Sequence, residues 1–234
     1  MPSHYEAHQH HATYYETVLR SAREFYLQGN ESVQRAMALI DREWGNIQAG
    51  QAWAMANLAQ DSLATRLCSD YSDAGAYILE LRQHPRERIR WRESALAAAR
   101  MLRRLSSESA HLNDLGLAYA DLGESRTAIE HYEQSLIILH AIGDRRGESN
   151  TLVNIGNAYY GLGEIRRSIE IHEQALNSFQ ETGDRRGEGI ALGSLGNAYY
   201  FWGEFRKAIE FYDQRLIIAR AIGDRRGESN ALGN

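Results

Sequence analysis

Four histidines crowd the N-terminus. Three of them, His4, His8 and His11, fall at the four- and three-residue steps that a helix presents on one face, with His10 beside them. Imidazoles so spaced can share a divalent cation. Zinc sites usually draw ligands from more than one element, so the plainer reading is a solvated or docked helix end, and no cofactor or metal is expected. Other catalytic patterns fail on their spacing. Gly187, Gly189 and Gly193 lack both the intervals and the preceding strand of a dinucleotide loop. His172-Glu173 lacks the second histidine of a zinc protease. Gly147-Glu148-Ser149 and Gly227-Glu228-Ser229 lack the closing glycine of a nucleophile elbow. Lys207, the only lysine, sits in Phe-Arg-Lys-Ala and not in the glycine-rich turn that a P-loop requires. These failures speak against an enzyme.

Arg82, Arg86, Arg88, Arg90, Arg92, Arg100, Arg103 and Arg104 form a basic cluster diluted by Glu80, Glu87 and Glu93. Such a cluster could meet phosphate or an acidic partner. The formal net charge of −5 argues against a general nucleic-acid binder, and a solvated helix face is the simpler reading. No apolar run reaches the length of a membrane span, and the N-terminus lacks a basic-then-apolar signal. Cys68 stands alone, which fits a reducing compartment. The expectation is a cytoplasmic protein.

The elements that position these residues are set by a repeat. Gly-Asp-Arg-Arg-Gly-Glu opens at Gly143, Gly183 and Gly223, forty residues apart. Within one period, Leu152, Ile155, Gly156 and Tyr159 recur at three- and four-residue steps, as on one face of a helix. Leu162-Gly163-Glu164 breaks it, and Ile165, Ile169, His172, Leu176 and Phe179 trace a second helix. Gly143 can close one helix in the left-handed conformation and Asp144 can cap the next. Leu112, Leu115, Gly116 and Tyr119 match the first helix, as do Leu192, Leu195, Gly196 and Tyr199. Ala128, Ser168 and Ala208 align in the second, followed one turn later by Tyr132, His172 and Tyr212. Arg145 and Arg146 sit at the positive end of a helix dipole, which favours pairing with a carboxylate such as Asp144 or one from the adjacent repeat.

Leu115-Gly116-Leu117-Ala118-Tyr119 and Ile155-Gly156-Asn157-Ala158-Tyr159 resemble the signature of tetratricopeptide repeats, with Leu112, Leu152 and Leu192 in place of the family's early tryptophan. Long repeats with Asn-Ala-Tyr are similar to those of kinesin light chains and GoLoco-type polarity scaffolds. The resemblance implies an all-α, right-handed superhelical solenoid of antiparallel helix pairs. It also implies that one side of each first helix lines a concave groove. That side carries Asn150, Asn154, Asn157 and Tyr160, then Ile190, Ser194, Asn197 and Tyr200, and in the first repeat Ala110, Asp114, Leu117 and Ala120. Asparagine amides can donate to and accept from a peptide backbone of any sequence, and tyrosine adds flat apolar area. A peptide or protein ligand is therefore expected at Asn150, Asn154, Asn157, Tyr160, Ser194, Asn197 and Tyr200. The carboxylate clamp of tetratricopeptide co-chaperones is matched only at Asn154.

Upstream the register persists faintly. Residues 61–104 read as a degenerate capping repeat, with a first helix over 61–82, Ala76 at the glycine position, and Pro85 opening the second. Residues 1–60 do not repeat: a helix to Leu27 stops at Gly29-Asn30, a second starting at Asn30 runs to about Asp41, and a third follows. The stretch from Leu39 to Ala54 resembles the segment joining the ATPase core to the repeat sensor of bacterial STAND-class (NB-ARC-like) signalling ATPases. Residues 105–234 then form the array, three repeats and a truncated fourth ending at Asn234. The expectation is a sensor arm cut from a larger signalling protein. The alternative is a structural spacer, self-associating end to end through an open C-terminal edge that exposes Leu216 and Ile217.

Overall fold

The computed structural model describes residues 3–76 and 78–233, apart from the side chains of Glu80 and Leu232; the Asn234 at which the array was expected to end lies outside the described residues. Among them the chain is all-α, as expected, with twelve helices and no strand. They are α1 (His4–Gln28), α2 (Glu31–Ala56), α3 (Ser62–Ala74), α4 (Ile78–Arg82), α5 (Pro85–Met101), α6 (Leu105–Asp121), α7 (Ser125–Ile142), α8 (Arg145–Gly161), α9 (Ile165–Thr182), α10 (Arg185–Phe201), α11 (Phe205–Ile222) and α12 (Arg225–Gly233). The chain divides into two compact units, one up to Ala118 and one from Tyr119 onward.

In the first unit α1 and α2 form a long helical hairpin turned at Gly29 (φ 73°) and Asn30 (φ 50°). The expected break near Asp41 does not occur. Gly45 lies at an exposed position, where glycine costs a helix only about 1 kcal/mol, so α2 runs through it. Asn30 precedes α2 without a side-chain capping bond. Downstream, Asp61 caps α3 by accepting from the Ala64 amide at 2.8 Å. The single helix expected over 61–82 is broken at Gly75, where a Cβ would lie 2.4 Å from Leu79, so the chain turns one residue before Ala76. Leu19, Ile40, Ile47, Leu67, Tyr71 and Trp91 build the core. Gly50 lets Tyr71 through: a Cβ there would sit 2.0 Å from the Tyr71 hydroxyl, which donates to the Ala12 carbonyl at 2.7 Å.

The second unit repeats one joint. Each second helix ends on a left-handed glycine, Gly143, Gly183 or Gly223, with φ of 72°, 70° and 70°. The following aspartate accepts from the amide three residues on, Asp144 from Gly147, Asp184 from Gly187 and Asp224 from Gly227, each at 2.9 Å. The second glycine of the hexapeptide makes room for the preceding helix, since a Cβ on Gly187 would fall 2.2 Å from the Phe179 ring. The closing glutamate is tied back to the last turn of the preceding helix. Gln180 donates to Glu188 at 3.2 Å, Arg220 to Glu228 at 2.8 Å, and His140 Nδ1 lies 3.2 Å from Glu148. Arg100 and Glu108 make the same contact at 2.8 Å in the first unit, forty residues before His140 and Glu148. The upstream register is therefore physical as well as textual. Within each pair, the glycine of the first helix receives the ring of the second: a Cβ on Gly156 would meet His172 at 2.5 Å, and one on Gly196 would meet Tyr212 at 2.4 Å.

Candidate functional site

The first helices α8 and α10 present the residues singled out above. Asn150, Asn157 and Tyr160 are exposed and Asn154 is half-buried, while Ile155, Gly156 and Ala158 face inward. Forty residues on, Ile190, Asn197 and Tyr200 are exposed and Ser194 is half-buried. Steps of four, three and three residues keep each set on one face.

These side chains are partly engaged already. The Tyr212 hydroxyl donates to Asn197 Oδ1 at 2.8 Å, which fixes the amide's orientation. Burial raises the Tyr212 pKa, so the phenol stays a donor. Tyr160 meets Phe201 edge-on, centroids 5.5 Å apart, and Tyr200 meets Phe205 the same way at 5.4 Å. Phe201, Trp202, Phe205 and Ile209 are exposed beside the tyrosines, and the sequence reading missed all four. The signal was present in Tyr199-Tyr200-Phe201-Trp202-Gly203-Glu204-Phe205, an aromatic run denser than its counterpart from Tyr159 to Ile165. Tyr200, Phe205, Ala208, Ile209, Tyr212, Asp213 and Ala231 line an open cleft of about 360 Å³.

In the first repeat the corresponding slot is not available in the same way. Asp114 is held by Arg92 at 2.8 Å, and burial raises its pKa despite the attraction of Arg92 and Arg88. The basic cluster is likewise spent on internal pairs: Arg82 with Asp41, Arg92 with Asp114, Arg100 with Glu108 and Arg104 with Asp70. The hexapeptide arginines find the partners that the helix dipole called for. Arg145 reaches Glu148 and Arg185 reaches Glu188 in their own helices, while Arg146 lies 3.3 Å from Asp184 of the next repeat.

At the N-terminus, His4 and His8 lie edge to face with centroids 4.5 Å apart, and Tyr5 and Gln9 bond Asp61 at 2.7 and 2.8 Å, docking α1 onto the start of α3. Among the described residues no group of three or more His, Cys, Asp or Glu side chains is placed to hold a metal ion. Cys68 is buried. No described helix is long and apolar enough to cross a membrane.

The sequence profile of the tetratricopeptide repeat matches residues 106–181 and 147–221, and that segment belongs to the tetratricopeptide repeat family. No curated protein sequence matches the chain. Solved structures share its fold. BtubC (BKLC) from P. vanneervenii is 18% identical with a TM-score of 0.65, over 95% of this chain and 93% of that one. A Podosopora anserina protein of kinesin light chain type, with nearly identical TPR-like repeats, is 20% identical with a TM-score of 0.65, over 92% and 98%. The Signal Transduction ATPase with Numerous Domains (STAND) protein with a tetratricopeptide repeat sensor from Pyrococcus horikoshii is 18% identical with a TM-score of 0.62; the match covers 86% of this chain and 32% of that one. At these identities the likeness is one of fold. A tetratricopeptide array is a protein-interaction fold, and typically a non-catalytic one.

Proposed function

We propose that residues 105–234 capture a peptide or protein along the face of α8 and α10 that carries Asn150, Asn154, Asn157, Tyr160, Ser194, Asn197 and Tyr200. The observation that carries this reading is the recurrence of an exposed Asn–Tyr pair, Asn157 with Tyr160 and Asn197 with Tyr200, in one register of adjacent rigid helices. Amides offer both donors and acceptors to a ligand backbone, and exposed tyrosines are favoured at interfaces. The proposed role is a ligand-sensing arm of a signalling ATPase; the shared fold with a STAND protein's sensor supports it. A ligand bound to such an arm acts on an attached effector only through unequal affinity for its two states.

The test is a peptide selected on the wild-type protein from a random-peptide display library, then titrated by fluorescence anisotropy. Replacing Asn157, Tyr160, Asn197 and Tyr200 together by alanine is expected to weaken binding by at least about a hundredfold, since buried interface anchors each contribute 1 kcal/mol or more. Unchanged affinity sinks the assignment. For the sensor-arm reading, the gene decides: a P-loop encoded upstream in the same reading frame supports it, and a reading frame without one refutes it.

A further inference from the structure

The cleft beside Tyr200 has a counterpart one repeat earlier, and that counterpart is filled. In the earlier joint Ile169 is 5% exposed and clusters with Leu195, Ala198 and Tyr199 of α10, with Ile165 and Leu176 packed at the edge. The Tyr199 hydroxyl lies 3.5 Å from Glu173 Oε1. Forty residues on, Ile209 stands at the place of Ile169 and Phe205 at that of Ile165, yet they are 59% and 57% exposed. Asp213, exposed, stands where Glu173 does. The helix α12 reaches only Ala231 on the cleft wall, the counterpart of Ala191.

This exposure belongs to the joint, not to the helix type. Ile217, expected to mark the open edge, is 65% exposed, but its counterpart Ile137 inside the array is 71% exposed. Leu216 is half-buried, as are Leu136 and Leu176. The residues whose burial changes from one joint to the next are Phe205 and Ile209.

We infer that the cleft of α11 is a docking site for an amphipathic helix, supplied in trans by a partner, that carries the array's own first-helix signature: a leucine or isoleucine, an alanine three residues on and a tyrosine four residues on. The preceding joint specifies this chemistry residue by residue. The aliphatic side chain and alanine cover Ile209 and Phe205, and the tyrosine hydroxyl reaches Asp213 as Tyr199 reaches Glu173. The chain's own matching helices are already committed, since α8 and α10 each cover their own joint in the array. For the same reason a second copy has no spare helix of this kind, and the protein alone is expected to stay monomeric. The inference stands on the open joint and not on the groove reading.

The probe is a helix-stapled, fluorescein-labelled peptide of residues 185–203 of this chain, its helicity confirmed by circular dichroism. Saturable binding is expected, weakened at least about tenfold by Ile209→Asp or Phe205→Asp and unaffected by Asn154→Ala or Asn157→Ala. In the peptide, changing the residue corresponding to Leu195 to aspartate is expected to abolish binding, and changing that corresponding to Tyr199 to phenylalanine to weaken it. Both protein substitutions are at exposed sites, and circular dichroism checks that the variants keep their helices. No binding by the helical peptide, or equal binding to wild type and Ile209→Asp, overturns the proposal. So does a dimer in sedimentation velocity that Ile209→Asp dissolves, which would assign the cleft to a second copy.

Discussion

The first unit closes its core around one tyrosine, whereas the second repeats one small joint down its length. Tyr71 is fully buried, touches the space left by Gly50, and bonds α1 through the Ala12 carbonyl. It therefore ties α1, α2 and α3 together at a single point. No residue of the second unit has that reach. Phe179 packs with Val153, Ala175 and Ala191, and its ring is admitted by Gly187 of the next helix. Polar burial differs too. The first unit buries Arg92 against Asp114 and the Ser72 carbonyl, and His111 against Ser69. The array buries a single ring, His172, where its neighbours place Tyr132 and Tyr212. A core with non-local ties fails as a whole, and a stack fails joint by joint.

The largest expected effect tests that difference. Tyr71→Ala and Phe179→Ala should each cost about 3–5 kcal/mol, as truncation of a buried aromatic does. Amide hydrogen exchange should separate them. The first should loosen α1, α2 and α3 together; the second should loosen α8, α9 and α10 while α1 to α3 keep their protection. Spread of the Phe179→Ala effect into α1 would break the comparison.

A pH series comes next in size. Burial lowers the His172 pKa to about 4, against about 6.5 in an unfolded chain. Between those values the unfolded state carries the extra proton. Stability is thus full above pH 6.5 and falls as the pH drops toward 4, by about 1.4 kcal/mol per unit. In the first unit His111 behaves alike, lowered to about 3 by burial and then by Arg92. Asp73 works the other way. Burial raises it to about 6, so between pH 6 and 4 its folded form holds the proton and gains as the pH falls. Its side chain is 40% exposed, so water screens part of that gain. His172→Tyr should remove the acid sensitivity of α8 to α10 in urea melts at pH 4.5 and 7, and stabilise them at pH 4.5. The tyrosine has a precedent, since Gly196 already admits Tyr212, whose hydroxyl bonds the Asn157 counterpart, Asn197. An unchanged pH slope would remove His172 as its source.

The smallest effect sharpens the joint itself. Asp184→Ala removes a helix cap and should cost about 1 kcal/mol, read as a shift in the urea midpoint. Adding Arg146→Ala should change little more, because that arginine is largely exposed and surface pairs contribute about 0–1 kcal/mol.

Much of the array was legible because its determinants are local. A glycine that closes a helix, an aspartate that caps the next and a 3.6-residue apolar period act within a few residues, so the sequence shows them directly. The tie from Gln180 to Glu188 was harder to see, because it is eight residues long and its donor changes to His140 or Arg220 in other repeats. In the N-terminal region, glycine and asparagine misled. Gly45 reads as a stop, yet α2 gains more from packing along α1 than one glycine costs. For the candidate binding face, spacing alone put the asparagines and tyrosines on one side. It did not reveal that Tyr212 bonds Asn197 or that Phe201 and Phe205 extend the aromatic strip.

By itself, then, the sequence determined the helix pairs, their forty-residue register and the chemistry of each joint, because those depend on backbone preferences and on near neighbours in the chain. Tertiary structure decided which of the equivalent residues are covered. Ile169 and Ile209 are the same residue in the same register, and only the presence or absence of a packed helix makes one core and the other surface. Burial depends on what else arrives in space, and a one-dimensional pattern does not encode that.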